Sequence, residues 1–295
     1  MITAHPGLPE FDYVKPASLN EASAFLAQHV GEARAFIGGT DTFVRMRDGA
    51  WKDKYLVDVK GLPGMNDLTF DPAQGLRVGA AVNMNRLVAS PEVNAHYPVL
   101  AEAAHTVASY QLRTRATVAG NICNASPAGD TVGSGLVLDA KAHVHGIDGE
   151  RVDALRTFFK GPGKTVLKPG DIVTAVEYPL PPQGSAGKYI KLGRNAIGDL
   201  AIVGVTAFGY PDGAAVSGFR FFVALASVAP TPFMPDMSLL SEKAITPELI
   251  VEAAEFAMNS VTPIDDVRGS ARYRKLMVRN MTRNALTEVW KKLQG

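Results

Sequence analysis

Two stretches of small, hydroxyl-bearing and amide residues stand out as places where this chain could do chemistry. The first is Phe36-Ile37-Gly38-Gly39-Thr40-Asp41-Thr42. An apolar strand runs into two glycines and then into hydroxyl and acid residues that open a short helix. Glycines let a backbone turn sharply and come close to a ligand. Successive amide N–H groups at the start of a helix form a cradle for a diphosphate, and Thr40 and Thr42 add hydroxyl donors. The same residues also fit a tight turn in which Thr40 or Asp41 caps a helix. The stretch is not a P-loop, because no Gly-Lys-Ser/Thr follows, and it is not a G-x-G-x-x-G dinucleotide fingerprint.

The second stretch, residues 117–130, reads Thr-Val-Ala-Gly-Asn-Ile-Cys-Asn-Ala-Ser-Pro-Ala-Gly-Asp and follows the basic run Gln111-Leu112-Arg113-Thr114-Arg115. Packing alone rarely demands so many small and amide residues in a row. Read as a loop, it offers Thr117 and Asn121 toward phosphate or sugar-alcohol oxygens, and Asp130 as an acceptor from hydroxyls. Ile122, Cys123 and Pro127 interrupt it as anchors. A ligand with a diphosphate at its centre and polar arms would use both stretches.

Other candidates carry less. His143 and His145 alternate on an expected strand, but two histidines without a third ligand do not make a metal site. Cys123 offers a redox thiol, but a lone cysteine is more often a small buried hydrophobe, and it is read so here. Asp12 and the Asp265-Asp266 pair show no partner for acid–base work.

The elements that must hold these stretches can be read from periodicity. Ser18-Leu19-Asn20-Glu21 has the form of a capping box, followed by apolar residues at helical spacing and a stop at Gly31. Strands are expected at 35–37 and 55–59 around a short helix at 41–47, so residues 1–60 read as a β-α-β unit. Residues 61–178 mix strands at 76–80, 142–145 and 172–178 with helices starting at Ser90-Pro91-Glu92 and spanning 98–108. The Pro-rich stretch 179–187 reads as a linker. Residues 188–295 read as three strands, at 188–192, 201–210 and 219–227, covered by helices that begin near Thr246 and span 272–293. The middle strand is apolar enough to be buried on both faces. Along the last helix, Tyr273, Leu276, Met277, Met281, Leu286, Val289, Trp290 and Leu293 form an apolar stripe expected to face a core or another subunit.

Composition narrows the function. The chain has 295 residues, 46% hydrophobic and 20% charged, enough for two or three packed units. Thirty Lys and Arg against 29 Asp and Glu leave no basic surplus, which argues against nucleic-acid binding. A single cysteine excludes a disulfide framework and a cysteine-ligated iron–sulfur cluster within this chain, and it fits a reducing cytoplasm. The N-terminal residues show no basic segment followed by an apolar run, so no signal peptide is expected. The longest apolar runs, 200–208 and 221–229, are far short of the roughly 20 residues a bilayer span needs.

Taken together, Ile37-Gly38-Gly39-Thr40-Asp41 and Thr117-Val118-Ala119-Gly120-Asn121, with Ala125-Ser126-Pro127 and Asp130 behind, resemble the two FAD-diphosphate motifs of the flavoprotein subunits of molybdenum hydroxylases. That family includes the medium subunit of aerobic carbon monoxide dehydrogenase and the FAD domain of xanthine dehydrogenase. Tyr189-Ile190-Lys191-Leu192, Gly198-Asp199 and Ser270-Ala271-Arg272-Tyr273-Arg274 extend the resemblance over most of the chain. One departure is Ala119, where the family usually has a glycine; its methyl is tolerable where φ is negative.

The resemblance implies an α+β fold: a two-subdomain FAD-binding fold followed by a C-terminal domain of a sheet plus helices. It implies noncovalent FAD, with Ile37, Gly38, Gly39, Thr40, Asp41 and Thr42 around the diphosphate. Thr117, Ala119, Gly120 and Asn121 complete the cradle, with Asp130 on the ribityl or ribose side and Ile172 near the adenine or flavin. Lys191 sits where the family has a basic residue near the isoalloxazine; an exposed strand lysine is the equal alternative. Tyr189 reads either as a ring-stacking residue or as a packed strand residue. No side chain is expected to act as a catalytic acid or base. The molybdenum–molybdopterin centre and the [2Fe–2S] clusters are expected on partners, a large and a small subunit, in a dimer of heterotrimers that passes electrons through FAD to NAD⁺, a quinone or a similar acceptor. The rival readings are a stand-alone FAD oxidoreductase of a small molecule and a non-enzymatic nucleotide-binding scaffold.

Overall fold

The fold is taken from a computed structural model that describes residues 7–195 and 197–295; part of the expectation about the N-terminus falls on residues 1–6, outside the described residues. The chain opens with β1 (Asp12–Val14), α1 (Leu19–Gln28), β2 (Ala33–Phe36), α2 (Thr42–Arg47) and β3 (Tyr55–Asp58). The strands form a parallel sheet in the order β1-β3-β2. The Ser18 hydroxyl accepts from the Glu21 N–H at 3.2 Å, while the Glu21 carboxylate accepts from the Ala17 N–H at 2.7 Å, so the expected box closes one residue early on its acidic side. Phe36, Met46 and Leu56 bury one face of this small sheet, and Ala22, Leu26 and Val57 join the main core on the other.

The second unit begins with β4 (Leu68–Asp71) and β5 (Gly75–Gly79). Six helices follow: α3 (Met84–Ala89), α4 (Pro91–His96), α5 (Pro98–His105), α6 (Tyr110–Arg113), α7 (Val118–Asn124) and α8 (Asp130–Val137). Then come β6 (Lys141–Gly146), β7 (Gly149–Ala154), α9 (Leu155–Phe158), the hairpin β8 (Phe159–Gly161) and β9 (Lys164–Thr165), and β10 (Ile172–Tyr178). Its main sheet is antiparallel, ordered β4-β5-β10-β6-β7.

The third unit pairs β11 (Ala186–Leu192), β12 (Val203–Pro211) and β13 (Phe219–Ala226) in sequence order. Helices α10 (Leu239–Glu242), α11 (Pro247–Asn259) and α12 (Ala271–Leu293) follow. Val203, Val205 and Ala207 of β12 point into a core shared with α11 and α12, and Phe208 points into the main core, so β12 is buried on both faces as its composition predicts. α8 is buried along its whole length and packs against β12 and β13. It therefore couples the second unit to the third and carries Asp130 at its first position.

Two expectations are revised. Residues 117–130 are not one loop but two short helices joined by 125–129. Thr117 has the extended backbone of an N-cap, and its side chain accepts from the Gly120 N–H; that signal is in the sequence, masked by the glycine and amide composition. On α12, the expected stripe splits: Tyr273 and Leu276 are exposed, which leaves them the subunit-contact alternative and not the core, because the buried face is set by Arg274, Val278, Met281, Thr282, Ala285, Leu286 and Val289. Arg274 holds that place by donating to the carbonyls of Ile202 and Ser227 and to Asp266. Burial works against the Asp266 carboxylate, but Arg268 and Arg274 outweigh it and hold its pKa well below the usual range.

Candidate functional site: a cleft closed by two small-residue segments

The turn after β2 and the start of α7 meet in space although they are some eighty residues apart. Gly38 lies against the Arg115 carbonyl so closely that an added Cβ would overlap its oxygen. Arg115 in turn donates from Nε to the Gly38 carbonyl (3.3 Å) and from Nη2 to the Ile37 carbonyl (3.4 Å). Gly39 takes φ +75°, a conformation that disfavours any residue with a Cβ. Between them these features force the chain to turn over Arg115 and face the N-terminal end of α7.

The space enclosed is a cleft of about 620 Å³. It is lined by Ile37, Gly38, Gly39, Thr40, Asp41 and Thr42 from the first segment and by Thr117, Ala119, Gly120, Asn121 and Asp130 from the second, with Ile172 on the far wall. Lys191 is the exception among the expected residues: it does not line the cleft, but reaches it through Asp130.

The two segments offer donors differently. Among the described residues, the N–H groups of Gly38, Gly39, Thr40 and Asp41 donate no hydrogen bond within the protein. At the second segment the Gly120 N–H is taken by Thr117 Oγ1 at 2.9 Å, and the Asn121 N–H by the Thr117 carbonyl at 3.0 Å. The first two amides of α7, Val118 and Ala119, have no intrahelical acceptor by position. Thr117 keeps its own hydroxyl proton. The Asn121 carbonyl oxygen accepts from Thr131 Oγ1 at 2.8 Å, which turns its NH₂ into the free end. Ala119 is helical and buried and is not a positive-φ residue, so its methyl replaces a glycine without strain. Gly120 is exposed, and an added Cβ there would meet only the Thr117 hydroxyl within 4 Å, so this position keeps the cleft open.

Asp130 is fixed on both oxygens. Oδ1 accepts from the Tyr189 hydroxyl at 2.7 Å and Oδ2 from Lys191 Nζ at 2.8 Å. Lys191 Nζ also donates to the Thr106 carbonyl at 3.1 Å. Burial pushes the Asp130 carboxyl above the usual carboxylate range, and Lys191 and Tyr189 pull against that shift. Burial likewise pushes the Tyr189 phenol well up, with the Asp130 charge adding to it. Tyr189 is 4% exposed and therefore a packed strand residue with no face free for stacking. Lys191 is not an exposed strand lysine: its side chain is 12% exposed and ion-paired with Asp130.

The sequence reading missed several walls. Leu26, Ala33 and Arg34 come from the α1–β2 corner, Lys168 and Gly170 from the turn before β10, and Asp199 and Leu200 from the third unit. The Arg34 guanidinium lies 3.6 Å from the centroid of the Trp51 ring and donates to Asp53 at 2.8 Å. Gly31 and Gly170, each at a turn, were the available signals. Cys123 is exposed and lines the cleft, against the expectation of a buried thiol. His143 and His145 bond to Glu177 and Asn20 respectively.

A parallel β-α-β unit facing an α+β unit across a cleft rimmed by amides, with a third domain latched to one wall, defines a two-part nucleotide-binding fold. Comparison with known proteins gives the family. The profile described as the FAD binding domain in molybdopterin dehydrogenase matches residues 9–181, and that of the CO dehydrogenase flavoprotein C-terminal domain matches residues 188–289. The carbon monoxide dehydrogenase medium chain of Hydrogenophaga pseudoflava is 32% identical over 96% of this chain and 98% of its own length. A putative xanthine dehydrogenase FAD-binding subunit of Escherichia coli is 27% identical over 94% of each. The solved carbon monoxide dehydrogenase from H. pseudoflava superposes with a TM-score of 0.91 at 30% identity, covering 96% of this chain and 98% of that one. The chain belongs to the FAD-binding medium-subunit family of the molybdenum hydroxylases, and is a flavoprotein subunit of an oxidoreductase.

The cleft fits that cofactor by its own chemistry. Its volume lies within the roughly 300–1,000 Å³ usual for small-molecule sites. It presents a run of unpaired backbone donors at 38–41 and a glycine, Gly120, whose missing side chain leaves the wall open.

Proposed function

We propose that this chain is the electron-transfer subunit of a molybdenum hydroxylase-type dehydrogenase. Bound noncovalently, FAD would supply the redox chemistry that links [2Fe–2S] clusters of a small partner subunit to an external acceptor such as NAD⁺ or a quinone. A large molybdopterin subunit would oxidise the substrate, in an assembly of two heterotrimers. The observation that carries the reading is the meeting of the Gly38–Arg115 contact with the α7 N-terminus around one cleft.

The chain's own residues bind, orient and shield. The Gly38 to Asp41 amides, Thr42, the first amides of α7 and the Thr117 hydroxyl hold the diphosphate, and Ile37 and Ala119 pack beside it. The Asn121 NH₂ donates to a ligand oxygen, and Asp130 accepts from a hydroxyl through its remaining lone pairs. Ile172 closes the apolar end, and Lys191 sets the charge of Asp130 from behind. We assign 1–60 and 61–178 as the two subdomains that grip the cofactor, 179–185 as the linker, shorter than the expected 179–187 because Ala186 and Gly187 already pair in β11, and the remainder as the C-terminal domain.

Of the four carboxylates that line the cleft, three are held by other groups, and the fourth, Asp41, is exposed in the turn we assign to the diphosphate rather than beside a substrate. Asp130 is held as described, Asp171 is held by Arg151, and Asp199 by the Arg194 N–H. This favours electron transfer over a stand-alone oxidoreductase. Among the described residues no helix is long and apolar enough to cross a membrane. We place the complex in the cytoplasm on the strength of the lone cysteine.

The test is to isolate the protein from its native host and measure flavin and subunits. About one FAD per chain, released by acid denaturation, together with a large and a small partner, is the expected result. A colourless chain that takes up no FAD, or a yellow chain that turns over a small molecule alone, would overturn the proposal.

A further inference from the structure

Helix α12 carries seven Lys and Arg against one Glu, in a chain whose total is 30 Lys and Arg against 29 Asp and Glu, so the rest of the chain is net acidic. Some of these cations have structural work. Arg274 is buried on Asp266, and Lys292 donates to the Gly187 carbonyl at 3.0 Å. Arg272, Arg279 and Arg283 do not: among the described residues none forms an ion pair with a carboxylate. Spaced four, three and four residues apart, Arg272, Leu276, Arg279 and Arg283 share one face of the helix. Leu276 is 37% exposed in the middle of that stripe, with Tyr273 40% exposed beside it.

The stripe borders a groove of about 240 Å³ between α11 and α12, formed by Val251, Ala254 and Glu255 on one side and Arg279, Asn280 and Arg283 on the other. The groove shares no residue with the FAD cleft. Exposed apolar side chains set among arginines, on a helix otherwise well packed, have the composition of a protein interface. Unpaired cations on a fixed helix face select a complementary negative surface. Glu255 inside the groove, and Glu252 one turn before it, count against a membrane or nucleic acid, because a uniform polyanion would be repelled there.

We propose that the Arg272–Leu276–Arg279–Arg283 stripe and its groove dock an acidic, partly apolar patch on a partner subunit of the dehydrogenase complex. The existence of that partner rests on the function proposed above; the place and chemistry of the contact rest on α12. Arg279 and Arg283 meet carboxylates, Leu276 and Val251 make the apolar centre, and Glu255 sets the register by accepting from a donor.

The experiment begins with the native complex. The partner subunits that co-purify with the tagged full-length chain are identified and isolated, and the dissociation constant of each for the FAD-loaded chain is measured. The variants are Arg272→Glu/Arg279→Glu/Arg283→Glu, the same three positions changed to Lys, and Lys160→Glu as a remote charge control. For one partner, the triple Glu variant is expected to bind at least about tenfold more weakly, while the triple Lys variant and Lys160→Glu stay within about twofold of the original. Added salt should weaken the original complex and leave the Glu variant little changed. Flavin content and melting temperature of each variant report folding, and because the cleft is elsewhere both should be preserved. If the original chain has partners and all variants bind them equally, the docking surface is refuted while the proposed function stands. If the original chain has no partner subunit, both fall. Self-association of the original chain that the Glu variant abolishes, or binding to anionic vesicles, would assign the stripe elsewhere and likewise refute it.

Discussion

The two segments that close the cleft look alike in composition and work by opposite means. At Gly38-Gly39 the glycines are required by the protein itself: one lies against the Arg115 carbonyl and the other has a positive φ. The amides there are left without partners. At 117–121 the backbone is ordinary helix, its cap already satisfied by Thr117, and a Cβ at Gly120 would press only on the Thr117 hydroxyl, a side-chain atom that can shift by a few tenths of an ångström. The second segment is also anchored at its far end, through Asp130, to the third domain, whereas the first is held by the Arg115 backbone contact and by the two bonds its guanidinium donates to the Gly38 and Ile37 carbonyls. Small residues in a motif can therefore mean a forced backbone path in one place and an open wall in another. Substitution separates the two.

The largest expected effect lies at the anchor. Asp130→Ala strands Lys191 inside the protein with only the Thr106 carbonyl, and removing one partner of a buried pair costs about 3–5 kcal/mol. Chemical denaturation should show that loss; a cost below about 1 kcal/mol would mean that the second segment is not anchored as described. Next comes Gly38→Ala, whose methyl would overlap a backbone oxygen that cannot step aside. A loss of about 1–3 kcal/mol is expected from overpacking, with most of the bound flavin, read as the ratio of flavin to protein absorbance. Thr117→Ala removes a helix cap and should cost about 1 kcal/mol, with a smaller drop in flavin affinity.

Gly120→Ala sharpens the contrast most directly. The methyl must push the Thr117 hydroxyl aside slightly, a cost offset by the higher helix propensity of alanine, so stability should change by less than about 1 kcal/mol, yet flavin binding should weaken because the methyl enters the cleft. Equal melting temperatures for Gly38→Ala and Gly120→Ala would erase the distinction between the segments. The smallest effect is on pH dependence. Burial raises the Asp171 carboxyl, but its bonds to Arg151 and the Lys168 N–H outweigh that and hold its pKa below the usual value. Its stabilising contribution is therefore complete above the unfolded value and is lost as pH falls through the folded one. The melting temperature should fall on acidification below about pH 4, and Asp171→Asn should flatten that limb while lowering the melting temperature at neutral pH.

Much of this was legible beforehand. The Ser18 cap, the β10 strand and the doubly buried β12 follow from local pattern, because capping residues and apolar runs act over a few neighbours. The two small-residue stretches that meet at the cleft were visible as composition. The helical nature of 118–124 was not, since glycine and asparagine there mask a helix that tertiary packing imposes. Lys191 was read as facing the ligand or the solvent; periodicity alone cannot show that Asp130, far away in sequence, claims it. Which members of the α12 stripe face the core was hidden for a similar reason. The Asp266 carboxylate and two backbone carbonyls make Arg274 a core residue, and that turns Tyr273 and Leu276 outward.

By itself the sequence determined which elements form and which residue types are available to hold a diphosphate, because those depend on interactions a few residues long. Only the tertiary structure decided that Gly38 touches Arg115, that Asp130 is held by Tyr189 and Lys191, and which face of the last helix is free. Those are contacts between segments distant along the chain, and they exist only once loop closure and the burial of the shared core have brought the segments together.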